Sequence, residues 1–309
     1  METVIGILIN KIISLALIMA MGWLLVKCRI LEADTSKAIS RLTLYLVNPC
    51  VTITAFQVDY TPEVKNGLLL ALFAAVAIHL FLILATGLLK KTLKLDPVEQ
   101  LSVMYSNAGN LVIPLVSAML GKEWVIYTSA FNAVQRILFW SHGKAVLCGD
   151  RGFQPRKIFG NINMISILVG LAMFLTGIRL PSLLQDAADS VGSMIGPLAM
   201  LVTGMLIGNL ELRQLVIYKR VWLITFLRLI LMPLSVVLLV KYSGITTLVP
   251  GGKEVLLVTV LAAVTPSATS ITQLAQVHNK DAQYARAINV ITTLLCILTV
   301  PIMIALYQL

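Results

Sequence analysis

The chain of 309 residues is 58% hydrophobic and 12% charged, with a mean hydropathy of +0.91. A soluble globule carries about twice that share of charge, so a water-soluble fold is excluded and an integral membrane protein is left. The net charge of +10 does not point to nucleic acid, because the basic residues sit in short loops between apolar runs, the orientation signal of a helical membrane protein.

Ten apolar segments of spanning length follow one another, at 3–26, 37–57, 66–89, 97–120, 123–147, 160–179, 188–209, 219–242, 253–276 and 281–307. Their long Leu, Ile, Val and Ala runs favour helices over a β-barrel, whose strands alternate at period two. The first span begins almost at Met1 without a basic leader or a cleavage site, so residue 1 is expected to stay in the mature chain. Lys and Arg number fifteen in the loops after spans 1, 3, 5, 7 and 9, against five in the opposite loops and termini. By the positive-inside rule both termini are extracytoplasmic and the 149–159 linker is cytoplasmic. The expected location is a plasma membrane, a bacterial inner membrane in particular. The four cysteines show no metal-ligand spacing, so free thiols and no metal site are expected.

Five spans per half give an inverted repeat, residues 1–148 and 160–309, because an odd number makes the second copy enter from the other side. Span 5 reads Tyr127-Thr-Ser-Ala-Phe-Asn132 where span 10 reads Tyr284-Ala-Arg-Ala-Ile-Asn289. Span 2 has Asn48-Pro49 and span 7 has Gly196-Pro197, both expected to interrupt or pack a helix mid-span. Spans 4 and 9 are each broken about ten residues after a Glu, Glu99 and Glu254. Gly192, Gly196, Gly204 and Gly208 of span 7 form two pairs of small residues suited to close helix packing.

The breaks are the most informative feature. Span 4 contains Tyr105-Ser-Asn-Ala-Gly-Asn-Leu-Val-Ile-Pro114 and span 9 contains Ala262-Ala-Val-Thr-Pro-Ser-Ala-Thr-Ser270. A proline removes a backbone hydrogen bond and asparagine needs partners that hydrocarbon lacks, so neither stretch is plain helix facing lipid. Paired breaks at corresponding places point to a transporter binding site. Half-helix N-termini there suit a carboxylate, and C-terminal ends suit a cation. Asn107, Asn110, Pro114, Thr265, Pro266, Ser267 and Thr269 are the candidate site residues, with Gly109 part of the break. The plainer alternative is a pair of proline kinks relieved by neighbouring Ser and Thr.

Ionisable residues within spans are Lys11, His79, Arg136, His142, Arg228 and Arg286. Each of the charged ones costs about 2.5–3.5 kcal/mol to place mid-membrane on insertion scales, so each should have a use. No Asp or Glu lies deep in a span. A cation-only interior points to an anionic substrate and away from a carboxylate-based sodium or proton antiporter. Arg136 and Arg286 stand open between touching substrate and snorkelling or bonding broken-helix carbonyls, while Arg228 is too deep to snorkel readily. Asn132, Gln135 and Arg136 share one face of span 5, which must look inward. Asn132 and Asn289 either line the site or tie up carbonyls of the broken helices.

No phosphate loop, dinucleotide fingerprint, metal-binding helix or nucleophile elbow is present. No enzyme activity, no cofactor and no direct use of ATP are expected.

Asn107-Ala-Gly-Asn-Leu-Val-Ile-Pro-Leu-Val116, Thr265-Pro-Ser-Ala-Thr269, Tyr45-Leu-Val-Asn-Pro49 and Asn161-Ile-Asn-Met-Ile-Ser-Ile-Leu-Val-Gly-Leu171 together resemble the auxin efflux carrier family. That family includes bacterial malonate and malate permeases and the plant PIN-formed auxin exporters. The resemblance runs over essentially the whole chain. It implies an all-α fold of ten transmembrane helices in a five-plus-five inverted repeat, bile-acid-transporter- and NhaA-like, with spans 4 and 9 crossing at their breaks. It further implies Asn107 as the substrate-side asparagine, Pro114 as the crossover proline, Gln135 as a pocket glutamine and Pro266 as the proline of span 9. Plant exporters carry a further proline where this chain has Ile271, and many carry a long cytoplasmic loop that this chain lacks.

The expectation is therefore a secondary transporter of a small organic anion, a monocarboxylate or dicarboxylate such as malonate, malate or an auxin-like acid, by elevator-type alternating access. Spans 3, 4, 5, 8, 9 and 10 would form the moving bundle, and spans 1, 2, 6 and 7 the scaffold and homodimer contact. A proton or sodium ion is the candidate coupling ion. A non-transporting anion receptor and a cation/proton antiporter are the alternatives.

Overall fold

The computed structural model describes residues 4–32, 34–149, 156, 159–208 and 218–309. Most of the expected 149–159 linker lies outside the described residues. Among the described residues the protein is all-helical, with one isolated β-bridge.

The helices group into ten units along the described chain. α1 is Val4–Lys27 and α3 is Pro62–Leu93. Between them α2 runs on through Thr35–Leu42, the π turn Thr43–Val47 and Asn48–Ala55. α4 is in two pieces, α4a Pro97–Met104 and α4b Ala108–Met119. α5 joins Val125–Leu138, the π turn Phe139–Gly143 and Lys144–Cys148. α6 is Ile162–Thr176, and α7 comprises Ser182–Gly192 and Ile195–Gly208. α8 joins Arg220–Phe226, the π turn Leu227–Leu231 and Met232–Tyr242. α9 is again in two pieces, α9a Gly252–Val264 and α9b Thr269–Val277, and α10 is Ala282–Gln308.

Five of these, Val4–Lys27, Pro62–Leu93, Ser182–Gly208, Arg220–Tyr242 and Ala282–Gln308, are long and apolar enough to cross a membrane. The apolar runs alone lead one to expect ten. Part of the shortfall has a geometric cause: α4b has 12 residues and α6 has 15, and at about 1.5 Å per residue neither reaches the ~30 Å of a hydrocarbon core by itself. The membrane character is plain on α3. Its buried stripe is made of small residues such as Ala71, Ala74 and Ala75, while Leu69, Phe73, Val76, Leu80, Leu84 and Leu88 face outward, a surface that only lipid tolerates.

Asn48-Pro49 does not break α2, contrary to expectation. Pro49 has no N–H to give the carbonyl four residues back, and the ladder relaxes to a wider turn in which the Asn48 N–H donates to the Thr43 carbonyl. α8 uses the same device before Pro233, where the Met232 N–H reaches the Leu227 carbonyl. Pro197 falls in the first turn of the second piece of α7, where a missing N–H is harmless.

α1 lies along the second piece of α7, close enough for backbone to meet backbone: a Cβ at Gly204 would stand 1.9 Å from the Met19 carbonyl oxygen, and one at Gly22 would stand 2.4 Å from that of Leu201. α2 packs on α6 and α7. On the other side α3 packs with α5 and α9a, and α8 and α10 pack with α9a. α4b touches members of both groups, lying against α1, α7, α5 and α9a.

The bundle around α4a is pinned at one end by a buried carboxylate. Glu99 accepts from Arg220 Nε at 2.6 Å and Nη2 at 2.7 Å, from the Tyr284 hydroxyl at 2.7 Å and from the Asp96 N–H at 2.9 Å. One side chain thus joins the first turns of α4a, α8 and α10. Glu99→Ala leaves these donors without their acceptor. Because Arg220 is half-exposed and can turn to water, the expected loss is about 2–3 kcal/mol rather than the full value of a buried pair, read as a lower melting temperature in detergent.

Candidate functional site

The two breaks meet. Residues 105–107 and 265–268 leave the helix, with Tyr105, Thr265 and Ala268 extended, and Ser106 pairs with Ser267 in an antiparallel bridge. The Asn107 N–H donates to the Pro266 carbonyl at 2.8 Å and the Ala268 N–H donates to the Tyr105 carbonyl at 3.0 Å. Each serine is then held by its own half of the chain. Gln135 of α5 accepts from the Ser106 N–H and hydroxyl and donates to its carbonyl. On α10, Thr292 accepts from the Ser267 N–H and Asn289 donates to its carbonyl. The backbone polar groups of the two bridge serines are thereby paired, as a buried break requires.

This corrects several expectations. Pro114 lies inside α4b, beyond the break, and packs toward Gly196; the bridge, not the proline, interrupts α4. Pro266 does sit in its break and lends its carbonyl. Gln135 and Asn289 are committed to the bridge backbone, Ser267 takes part through its main chain, and the Thr265 hydroxyl donates to the Ala262 carbonyl. In role the mate of Asn289 is Gln135 rather than Asn132. Sequence reading missed Ser106 and Thr292; the signal available was their spacing, since Asn132 with Gln135 and Asn289 with Thr292 are both pairs three apart on one helical face.

The C-terminal ends of the half-helices converge on Arg228, which is fully buried. Its Nη1 donates to the Val103 carbonyl at 3.0 Å, its Nη2 to Ala263 at 2.7 Å and Thr265 at 2.6 Å, and its Nε to Thr265 at 3.0 Å. These are orphan carbonyls in the last turns of α4a and α9a, where partial negative charge collects. The arginine therefore caps both helices and is not available to a substrate.

The N-terminal ends are left open. Neither Asn107 before α4b nor Ala268 before α9b makes a side-chain cap. Asn110 Nδ2 donates to Asn107 Oδ1 at 3.3 Å, leaving the Asn107 amide hydrogens without a protein acceptor among the described residues. Arg136 points at the start of α4b: a Cβ at Gly109 would lie 3.7 Å from its Nη2 and 3.9 Å from Asn132 Oδ1. Gly109 is thus open toward the site rather than needed for packing. Arg136 Nε is buried with no hydrogen-bond partner among the described residues. Asn107, Asn110, Asn132 and Arg136 therefore gather at one helix N-terminus, all donor-rich and none balanced by a carboxylate. The buried carboxylate among the described residues is Glu99, already bound to Arg220.

A family model described as membrane transport protein matches residues 7–152 and residues 151–304, essentially the whole chain. The chain belongs to this family, that of the auxin efflux carriers. A search of the curated proteins finds no match.

The remaining polar residues of the carrier are not part of the group at the N-terminus of α4b. Thr269 opens α9b, and Arg286 is half-buried on α10 with no bond to the break. His79 has its Nδ1 2.7 Å from the Ala75 carbonyl, so that nitrogen carries the proton, and its ring packs at a tilt against Phe131. His142 Nδ1 lies 3.2 Å from the Tyr105 hydroxyl, which itself donates to the Leu138 carbonyl. Lys11 lines a separate cavity of about 410 Å³ between α1, α2, α4b and α7, together with Gln57, Pro114 and Ser117. Across that cavity Lys122 and Asp189 form an ion pair at 3.5 Å.

Proposed function

We propose that the carrier is a secondary transporter of a small organic anion, a monocarboxylate or dicarboxylate of the size of malonate or malate or an auxin-like acid. One observation carries this reading: the C-terminal ends of the broken helices are neutralised by Arg228, while the N-terminus of α4b is uncapped and faces Arg136, whose buried Nε has no hydrogen-bond partner among the described residues. Free N–H groups, a positive dipole end and a guanidinium fork suit a carboxylate. Asn107 and Asn110 supply further donors, with Asn132 beside them.

The architecture behind the proposal is ten membrane crossings in two inverted halves, with α4 and α9 crossing at the bridge and both termini extracytoplasmic. The meeting point of the two matched stretches at 151–152 supports a division near the 149–159 linker. Since the two breaks are bonded to each other, the site moves as one piece. Alternating access then falls to sliding of α3, α4, α5, α8, α9 and α10 against a scaffold of α1, α2, α6 and α7, which also pairs two copies.

The test is counterflow of radiolabelled malonate, malate and indole-3-acetate in proteoliposomes. Saturable exchange of at least one supports the reading; binding without exchange turns it into a receptor, and sodium or proton flux with no anion movement overturns it. Asn107→Ala is expected to weaken anion binding about 10- to 100-fold with an unchanged melting temperature, because the main-chain bond from residue 107 to Pro266 survives the substitution. Equal loss of binding and stability would assign Asn107 to the frame.

A further inference from the structure

We propose that Arg228 is a resident cation that takes the place of a coupling sodium ion, so that the carrier's cycle runs with no sodium bound at the joined breaks. In transporters built on broken helices, C-terminal half-helix ends and unwound carbonyls are where a coupling cation is coordinated. Here that position is filled by protein. Three carbonyl oxygens, from Val103 on one broken helix and Ala263 and Thr265 on the other, all face one guanidinium within 3.0 Å.

The charges match. Two converging helix C-termini present about half a negative charge each, roughly one in all, and the guanidinium supplies one positive charge. A guanidinium does not give up its proton at any physiological pH, and its fork fixes several acceptors at once. Arg228 is 0% exposed and is tethered to α8 within the π turn Leu227–Leu231. A sodium ion can leave on each cycle; this cation stays. The half-helices are thus pre-charged for an anion at their other ends whether or not sodium is present. The inference rests on the chain being a transporter with this site, and not on which anion it moves.

The experiment is thermal unfolding of the purified full-length carrier in detergent, in equimolar sodium, lithium or choline chloride. The wild-type protein is expected to melt at one temperature in all three. Arg228→Ser removes the cation but leaves the three carbonyls; this variant is expected to melt lower in choline and to recover saturably with added sodium. Should Arg228→Ser not fold, Arg228→Lys, which keeps the charge, is expected to fold and to ignore sodium. Saturable stabilisation of the wild-type protein by sodium overturns the proposal, and so does a folded Arg228→Ser variant or an Arg228→Lys variant that fails these expectations. Chloride is the same in every arm and no organic anion enters the measurement, so a failed malonate, malate and indole-3-acetate panel leaves its outcome intact.

Discussion

Arg136→Met is expected to abolish anion counterflow and to reduce anion binding at least 100-fold, which corresponds to about 3 kcal/mol, in the range measured when one member of a desolvated charge pair is removed. The same substitution should leave the melting temperature unchanged or slightly higher. Arg136 Nε is buried without a partner, and deleting an unsatisfied donor removes a cost rather than a bond. Methionine retains an unbranched apolar stem. Arg136→Lys keeps the charge but loses the planar fork, so an intermediate loss of about tenfold is expected. A structural arginine behaves oppositely: its removal lowers stability, and lysine restores it. Binding and melting measured on the same three proteins separate the two roles.

Gly204→Ala is expected to be the most destabilising single-methyl substitution in the scaffold. The added carbon would stand 1.9 Å from the Met19 carbonyl oxygen and 2.8 Å from the Trp23 nitrogen, both main-chain atoms that no rotamer change can move aside. Relief requires α1 and α7 to separate along their length. The cost should reach or exceed the ~3 kcal/mol upper end usual for overpacking. Gly109→Ala is the natural control, since a Cβ there meets nothing closer than 3.7 Å. A melting temperature for Gly204→Ala within a degree or two of the control would mean that the α1–α7 contact is looser than its backbone geometry indicates.

The helical membrane class, the position of the two breaks and the inward face of α5 were legible in the residues, because all three follow from rules that act locally: hydropathy over a span, the cost of Asn and Pro against lipid, and the three- and four-residue spacing of a helix. Which polar group serves the frame and which serves the ligand was not. Gln135 and Arg136 are neighbours on one face, yet Gln135 closes the Ser106 backbone and Arg136 faces the open helix end. That outcome depends on where α5 sits relative to the break, a tertiary fact. Arg228 shows the same limit. Its sequence context announces a buried charge that must have a partner, but a carbonyl on α4a and two on α9a lie far off in the chain. Pro114 misled because a proline suggests the break, whereas the bridge to Ser267 interrupts the helix six or more residues earlier.

The Ser106–Ser267 bridge is built from main-chain atoms alone, with donors at Asn107 and Ala268. Its two bonds are therefore indifferent to which side chains stand there, and only a proline at 107 or 268 would remove one of them. If anion recognition lies where we propose, the frame and the recognition chemistry are separately heritable. A lineage can exchange Asn107, Asn110, Asn132 or Arg136 and acquire a new cargo while the scaffold of the site is passed on unaltered, which makes this architecture permissive toward evolutionary change of specificity.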